Sequence, residues 1–156
     1  MTQTAANLSP DATTAIADAL NQSVAETAVT TMLAQNFHWN VTGMAFGPLH
    51  QLFQDIYEDH FQAQDDLAER VKALDAHAEG TLSGMLKRSK ISEHDGHADD
   101  KTMIKSMHDA QVTLAATLAG AGELAAEHGD TLTEDLCIAR GQTHEKFAWF
   151  LRAHLR

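Results

Sequence analysis

The chain has 156 residues, enough for one domain with a real core and no need of disulfide support. Its 22 Asp and Glu against 11 Lys and Arg leave a formal net charge of −11, which repels phosphate backbones and attracts cations. The lone cysteine, Cys137, excludes an intrachain disulfide framework and suits a reducing cytoplasm; the first ten residues do not read as a signal peptide, and no later stretch approaches the ~18 apolar residues of a membrane span.

Residues 1–8 read as a short flexible tail and 9–156 as a single domain. Ser9-Pro10-Asp11 is a helix start: an N-cap serine, proline at the first helical position, then an acid near the positive end of the dipole. Ile16, Leu20, Val24 and Ala28 continue toward Phe37 as a first helix of about 28 residues, which Thr42-Gly43 breaks. Gly47-Pro48 opens a second helix carrying Leu49, Leu52, Phe53, Ile56, Phe61, Leu67, Val71 and Leu74, with Gly80 closing it. A looser connection over 81–99 holds a short apolar piece, Leu82-Met85-Leu86, and a polar loop, Glu93 to His97. A third helix runs from about Asp99 through Met103, Met107, Leu114, Leu118 and Leu124 to Gly129. Thr131-Leu132-Thr133-Glu134 has capping-box spacing, and a last helix follows with Leu132, Leu136, Ala139, Phe147, Phe150 and Leu151. No segment alternates like a strand. The fold class is therefore all-α: a ferritin-like four-helix bundle with a short extra helix in the long connection between helices two and three.

Ten histidines are many for this length, though most read singly as exposed helix residues. One constellation is different: His38, then His50, then Asp65 and Glu69. Residues 50, 54, 65 and 69 differ in azimuth by about 0°, 40°, 60° and 100°, so they share a helix face. Along the axis the 50/54 pair lies roughly 22 Å from the 65/69 pair. No single metal touches both ends of one copy. Two antiparallel copies about a twofold axis near residue 60 bring His50 of one against Asp65 and Glu69 of the other, giving two equivalent shared sites. A centre within one bundle normally uses Glu-x-x-His motifs, and the chain has none.

His38-Trp39-Asn40-Val41-Thr42-Gly43, Phe46, Leu49-His50 and Asp65-x-x-x-Glu69-Arg70 resemble the signature of the Dps proteins, the DNA-binding proteins from starved cells. The likeness continues through the middle connection to Thr133-Glu134-Asp135 and Glu145-Lys146-x-x-Trp149, and the ligand spacings of 12, 15 and 4 coincide. The resemblance implies a homododecamer of tetrahedral symmetry with iron as its metal. Such a shell acts as a ferroxidase in oxidative stress, oxidising Fe(II), preferably with hydrogen peroxide, and storing ferric mineral inside. It assigns His38 and His50 to one subunit and Asp65 and Glu69 to its twofold partner, with Glu69 able to bridge two metals.

One position departs from the pattern: Gln54 stands where the family usually has an acid, which implies an intact first site and a weakened second one. Trp39 reads as a buried core aromatic with a further role as electron donor. His94, Asp95, His97, Asp99 and Asp100 read as a solvated polar loop before a metal site. Asp130, Glu134 and Asp135 are expected either to line an iron-admitting threefold pore or to serve as helix N-terminal acids. Glu58 and Asp59 are candidates for mineral nucleation, and Glu58 a conceivable substitute for the missing ligand. Cys137 reads as core packing. The competing function is a nucleoid-associated, DNA-protecting protein with little ferroxidase activity. Against it, Met1 to Asn7 carry no basic side chain, so DNA binding is expected to be weak or absent.

Overall fold

A computed structural model describes residues 7–156, so the expected tail over 1–8 falls almost entirely outside it. Five helices follow one another: α1 (Pro10–Asn40), α2 (Phe46–Ala73), α3 (Leu82–Arg88), α4 (Asp100–Glu127) and α5 (Thr131–Ala153). The short turns after α1 and α4 make two antiparallel pairs, α1 with α2 and α4 with α5. These pairs close into a bundle through α1 on α4 and α2 on α5, while α3 lies along α1. No helix is long and apolar enough to cross a membrane among the described residues.

Local chemistry explains the boundaries. Ser9 accepts the Ala12 N–H and Asp99 the Thr102 N–H, so α1 and α4 begin where the sequence indicates. The α1–α2 corner turns at Gly43, whose φ of +104° is a left-handed region that disfavours a side chain. The expected end of α2 at Gly80 is corrected: the helix stops at Ala73, and Asp75 takes a φ of +59°. Residues beyond it are drawn off the helix by Asn21 of α1, which donates to the His77 carbonyl and accepts from the Glu79 N–H, both at 2.8 Å.

The rest of the long connection is held by further polar side chains of α1. Asp18 pairs with Arg88, Gln22 donates to the Arg88 carbonyl, Glu26 accepts the Lys90 N–H and Asn36 donates to the His94 carbonyl. One stripe of α1 therefore faces the bundle and another fastens the connection. Within the loop, Gly96 (φ +84°) lies so close to Asn36 that a Cβ would collide with its amide. His94 packs edge-on against Phe37, and Asp99 is a helix cap, so these two members of the loop cluster have structural duties.

The apolar core falls into two clusters. One, centred on Phe37, Leu49, Phe53, Met103 and Leu114, lies by the α1–α2 corner; the other, with Ile16, Leu20, Leu67, Val71, Leu118 and Cys137, fills the opposite end. Five residues of the expected apolar pattern are corrected: Phe61, Leu82, Leu86, Leu132 and Ala139 are exposed. Phe61 follows the buried His60, and one residue along a helix turns the side chain by about 100°, away from the core.

The cap of α5 is also corrected. Asp130, not Thr131, is the N-cap; its carboxylate accepts the Thr133 N–H and hydroxyl and pairs with Arg70 of α2 at 2.8 Å. Asp130 is fully buried, so its removal takes away a cap and leaves Arg70 unpaired. Asp130→Ala is expected to cost about 3 kcal/mol and Thr131→Ala under about 0.5 kcal/mol in urea unfolding. Equal losses would contradict this assignment.

Candidate metal centre

The corner between α1 and α2 brings His38 and His50 together. His38 donates from Nδ1 to the His50 carbonyl at 2.7 Å, and His50 donates from Nδ1 to the His38 carbonyl at 2.8 Å. A carbonyl can only accept, so both Nδ1 atoms carry protons, and Nε2 is the nitrogen left on each ring for a metal. The His38 carbonyl belongs to the last turn of α1, where no intrahelical donor remains to satisfy it. The rings stack at 3.7 Å between centroids, with Tyr57 edge-on to His38 and Phe46 over His50. Backbone carbonyls that orient metal-binding imidazoles in this way fix tautomer and ring direction before any metal arrives.

Gln54, one turn after His50, is half-buried and donates its amide to Glu58 at 2.7 Å. Asp65 and Glu69 are exposed, farther along α2. Among the described residues, no three His, Cys, Asp or Glu side chains gather within one chain closely enough to hold a metal ion. The chain thus joins the two histidines and leaves the two carboxylates at the other end of the same helix. Two imidazole nitrogens with carboxylate oxygens suit Fe(II), and equally Zn(II), Mn(II) or Co(II).

Trp39, beside His38, is 65 % exposed, which corrects its reading as a buried core aromatic. The last turn of α1 directs Phe37 and His38 inward and Trp39 outward. Of the acids at the α4–α5 junction, Asp130 is enclosed within the chain while Glu134 is half-buried and Asp135 exposed. Glu58 is exposed, whereas Asp59 is held by Arg140 at 2.7 and 3.1 Å and by His60 at 3.0 Å. Burial pushes the Cys137 thiol up to about 11, with the Asp130 charge adding to it.

A polar network at mid-bundle escaped the sequence reading. His60 of α2, Gln111 of α4 and His144 of α5 are all fully buried. Gln111 meets His60 Nε2 at 3.0 Å through its amide nitrogen and His144 Nδ1 at 2.7 Å through its oxygen. His60 Nδ1 reaches Asp59, and Arg140 spans Asp59 and His144 Nε2, the latter at 3.5 Å. Two histidines whose partners lie 33 and 51 residues away leave no local spacing to recognise. The chain here pairs its own polar groups, the buried Arg140 Nε excepted, where an intrachain di-iron protein would place Glu-x-x-His ligands.

Burial lowers both imidazoles, the His144 ring to about 2, with His60 and Arg140 adding to the effect there. For Asp59 burial alone would raise the carboxyl, but hydrogen bonds from His60 and Arg140 and the Arg140 charge hold it well below the usual range. Both histidines are neutral in the folded and unfolded chain above about pH 6.5, where their contribution is complete. Below it the unfolded chain takes up protons that the folded chain refuses. Stability should therefore fall by up to about 1.4 kcal/mol per pH unit for each histidine, while the Asp59 contribution holds until about pH 4. Urea unfolding from pH 7.5 to 5 measures this, and a flat profile would refute the neutral assignment.

A sequence profile of the ferritin-like domain family matches residues 17–156. General stress protein 20U of Bacillus subtilis is 34 % identical over 137 residues, 88 % of this chain and 94 % of that protein. The DNA protection during starvation protein of Brevibacillus brevis is 34 % identical over 140 residues, 90 % of this chain and 94 % of its own. The crystal structure of a Dps protein from Vibrio cholerae O1, described as a member of the ferritin-like diiron-carboxylate superfamily, superposes with a TM-score of 0.93 at 33 % identity, covering 100 % of this chain and 98 % of that one.

Proposed function

The chain belongs to the Dps family of ferritin-like proteins, and we propose that it is a ferroxidase and iron-storage protein whose metal sites are shared between two copies. The carrying observation is the reciprocal His38–His50 clasp, which preforms half of a metal site while the matching carboxylates stand at the far end of α2. An antiparallel second copy supplies the other half.

In this reading His38 of one copy, with Asp65 and Glu69 of the other, holds the stronger Fe(II). His50 and the Gln54 amide oxygen hold the weaker one, and Glu69 bridges the two. Iron is substrate here. Two Fe(II) ions each lose one electron, and the O–O bond of one hydrogen peroxide takes up both as it breaks. The fixed Nδ1–H bonds leave Nε2 of both rings for metal, so binding requires no tautomer change. Trp39, exposed next to His38, is placed to donate an electron to a bound oxidant. The half-buried Glu134 and the exposed Asp135 supply acids for an entry path in a shell of twelve copies. A bias toward cations follows from the charge of −11 per chain, which opposes a role in coating DNA.

Light scattering should find a particle near twelve times 17.0 kDa. Calorimetric titration with Fe(II) or Co(II) should show one strong site per chain, lost in His38→Ala, and a second strong site gained in Gln54→Asp. A monomer, or uptake unaffected by His38→Ala, sinks the reading; no gain in Gln54→Asp sinks the weak second position. Apo-protein should not shift duplex DNA tightly at low salt without bridging cations, and tight binding would favour the DNA-protecting alternative.

A further inference from the structure

If the site is shared, the rotation of α2 about its own axis matters to both half-sites, because His50, Asp65 and Glu69 all ride on it. His60 lies ten residues after His50 and nine before Glu69, at the pivot between them. There two consecutive side chains of α2 are held by other helices: Asp59 by the two-pronged Arg140 and His60 by Gln111.

The hydrogen bonds allow one consistent direction. The Gln111 oxygen is taken by His144 Nδ1–H, so its amide N–H donates to His60 Nε2. His60 then has Nδ1–H left for Asp59, which also accepts from Arg140. His144 Nε2, left as an acceptor, faces the Arg140 guanidinium and closes the ring. Reversing one member leaves a buried donor facing a donor. The groups bearing on His144 are His60 and Asp59 from α2 and Arg140 from its own helix; α4 contributes only the neutral Gln111, and α1 none. A proton on His144 Nε2 would set a second cation against Arg140 and remove the acceptor that closes the ring.

We propose that Gln111 and His144 are positioning residues for the shared metal site, fixing α2 at its midpoint, and that acid favours a released state in which His144 takes up a proton, so that metal is unloaded by moving the helix. The proposal rests on the shared-site reading. Neither residue touches a proposed metal ligand, so its effect on metal is transmitted through α2.

Hydrogen exchange over residues 55–64 of the assembled, metal-free protein at pH 7.5 and 5.5, corrected for the intrinsic rate, separates this from protonation of the metal ligands. Parent protein should lose protection, by up to about a hundredfold per pH unit with His60 and His144 each taking up a proton on release. His144→Asn, whose amide can still donate to Gln111 but cannot titrate, should lose less than the parent at pH 5.5, about tenfold per pH unit at most with only His60 left to take up a proton, and bind Co(II) as the parent does at pH 7.5. Gln111→Leu should lose protection at both pH values, bind Co(II) at least about tenfold more weakly at pH 7.5 and shift its visible absorption bands. The proposal fails if parent protection is unchanged by pH, if His144→Asn loses it as the parent does, or if assembled Gln111→Leu binds Co(II) with parental affinity and spectrum. Should Gln111→Leu not assemble, the parent and His144→Asn comparison decides alone. His38→Ala is the control: Co(II) binding that survives it refutes the shared site, while the exchange result still judges the ring.

Discussion

An α-helix advances about 1.5 Å per residue and does not fold back, and this rigidity of α2 governs what the chain can assemble. Groups near its start cannot meet groups near its end. The corner with α1 therefore completes only a pair of imidazoles, and the carboxylates on the same face stay apart from it. The bundle in turn ties α2 to its neighbours at three points. Its first turns are tied to α1 by the two histidines, its middle to α4 and α5 by the buried ring, and its last turns to the head of α5 through Arg70 and Asp130.

These three ties share a logic. Each uses polar groups in places where water is scarce, and each satisfies almost all of them internally. Such networks add modestly to stability while whole and cost much more when one partner is lost. They specify rather than simply adhere. An apolar contact would tolerate a small rotation of α2, whereas an imidazole donating to a carbonyl or a guanidinium gripping a carboxylate would not.

Much of this was legible in the sequence. Ser9-Pro10, Thr42-Gly43 and Asp99 act through backbone chemistry within a few residues, so their helix boundaries could be read directly. The His50, Asp65 and Glu69 face followed from helical periodicity alone. What was hidden depended on partners far along the chain. Residues 76–79 have good helix formers, yet Asn21 pulls them into an extended path. Thr131 and Glu134 match a capping box, yet Asp130 has Arg70 to pair with and takes the cap. His60 and His144 looked like two among ten histidines, because only the packed bundle brings Gln111 between them. Trp39 reads as interior from its aromatic character and Phe61 from the apolar run of the second helix, but their azimuths turn them outward.

Cys137 shows a different consequence of how the bundle is closed. Peroxides and related oxidants attack thiolate sulfur, and the burial that raises this thiol, reinforced by the Asp130 that caps α5, leaves almost none of it ionised at neutral pH. Met103 and Met107 are sealed in the core as well, whereas Met44 stands fully in solvent at the α1–α2 corner and Met32 is half-exposed on α1. Oxidative wear is thereby steered to thioethers at the periphery, where a sulfoxide can form and be reduced again without a cavity or a polar atom appearing in the interior. The chain thus keeps its one thiol buried at the end of the bundle opposite the His38–His50 corner.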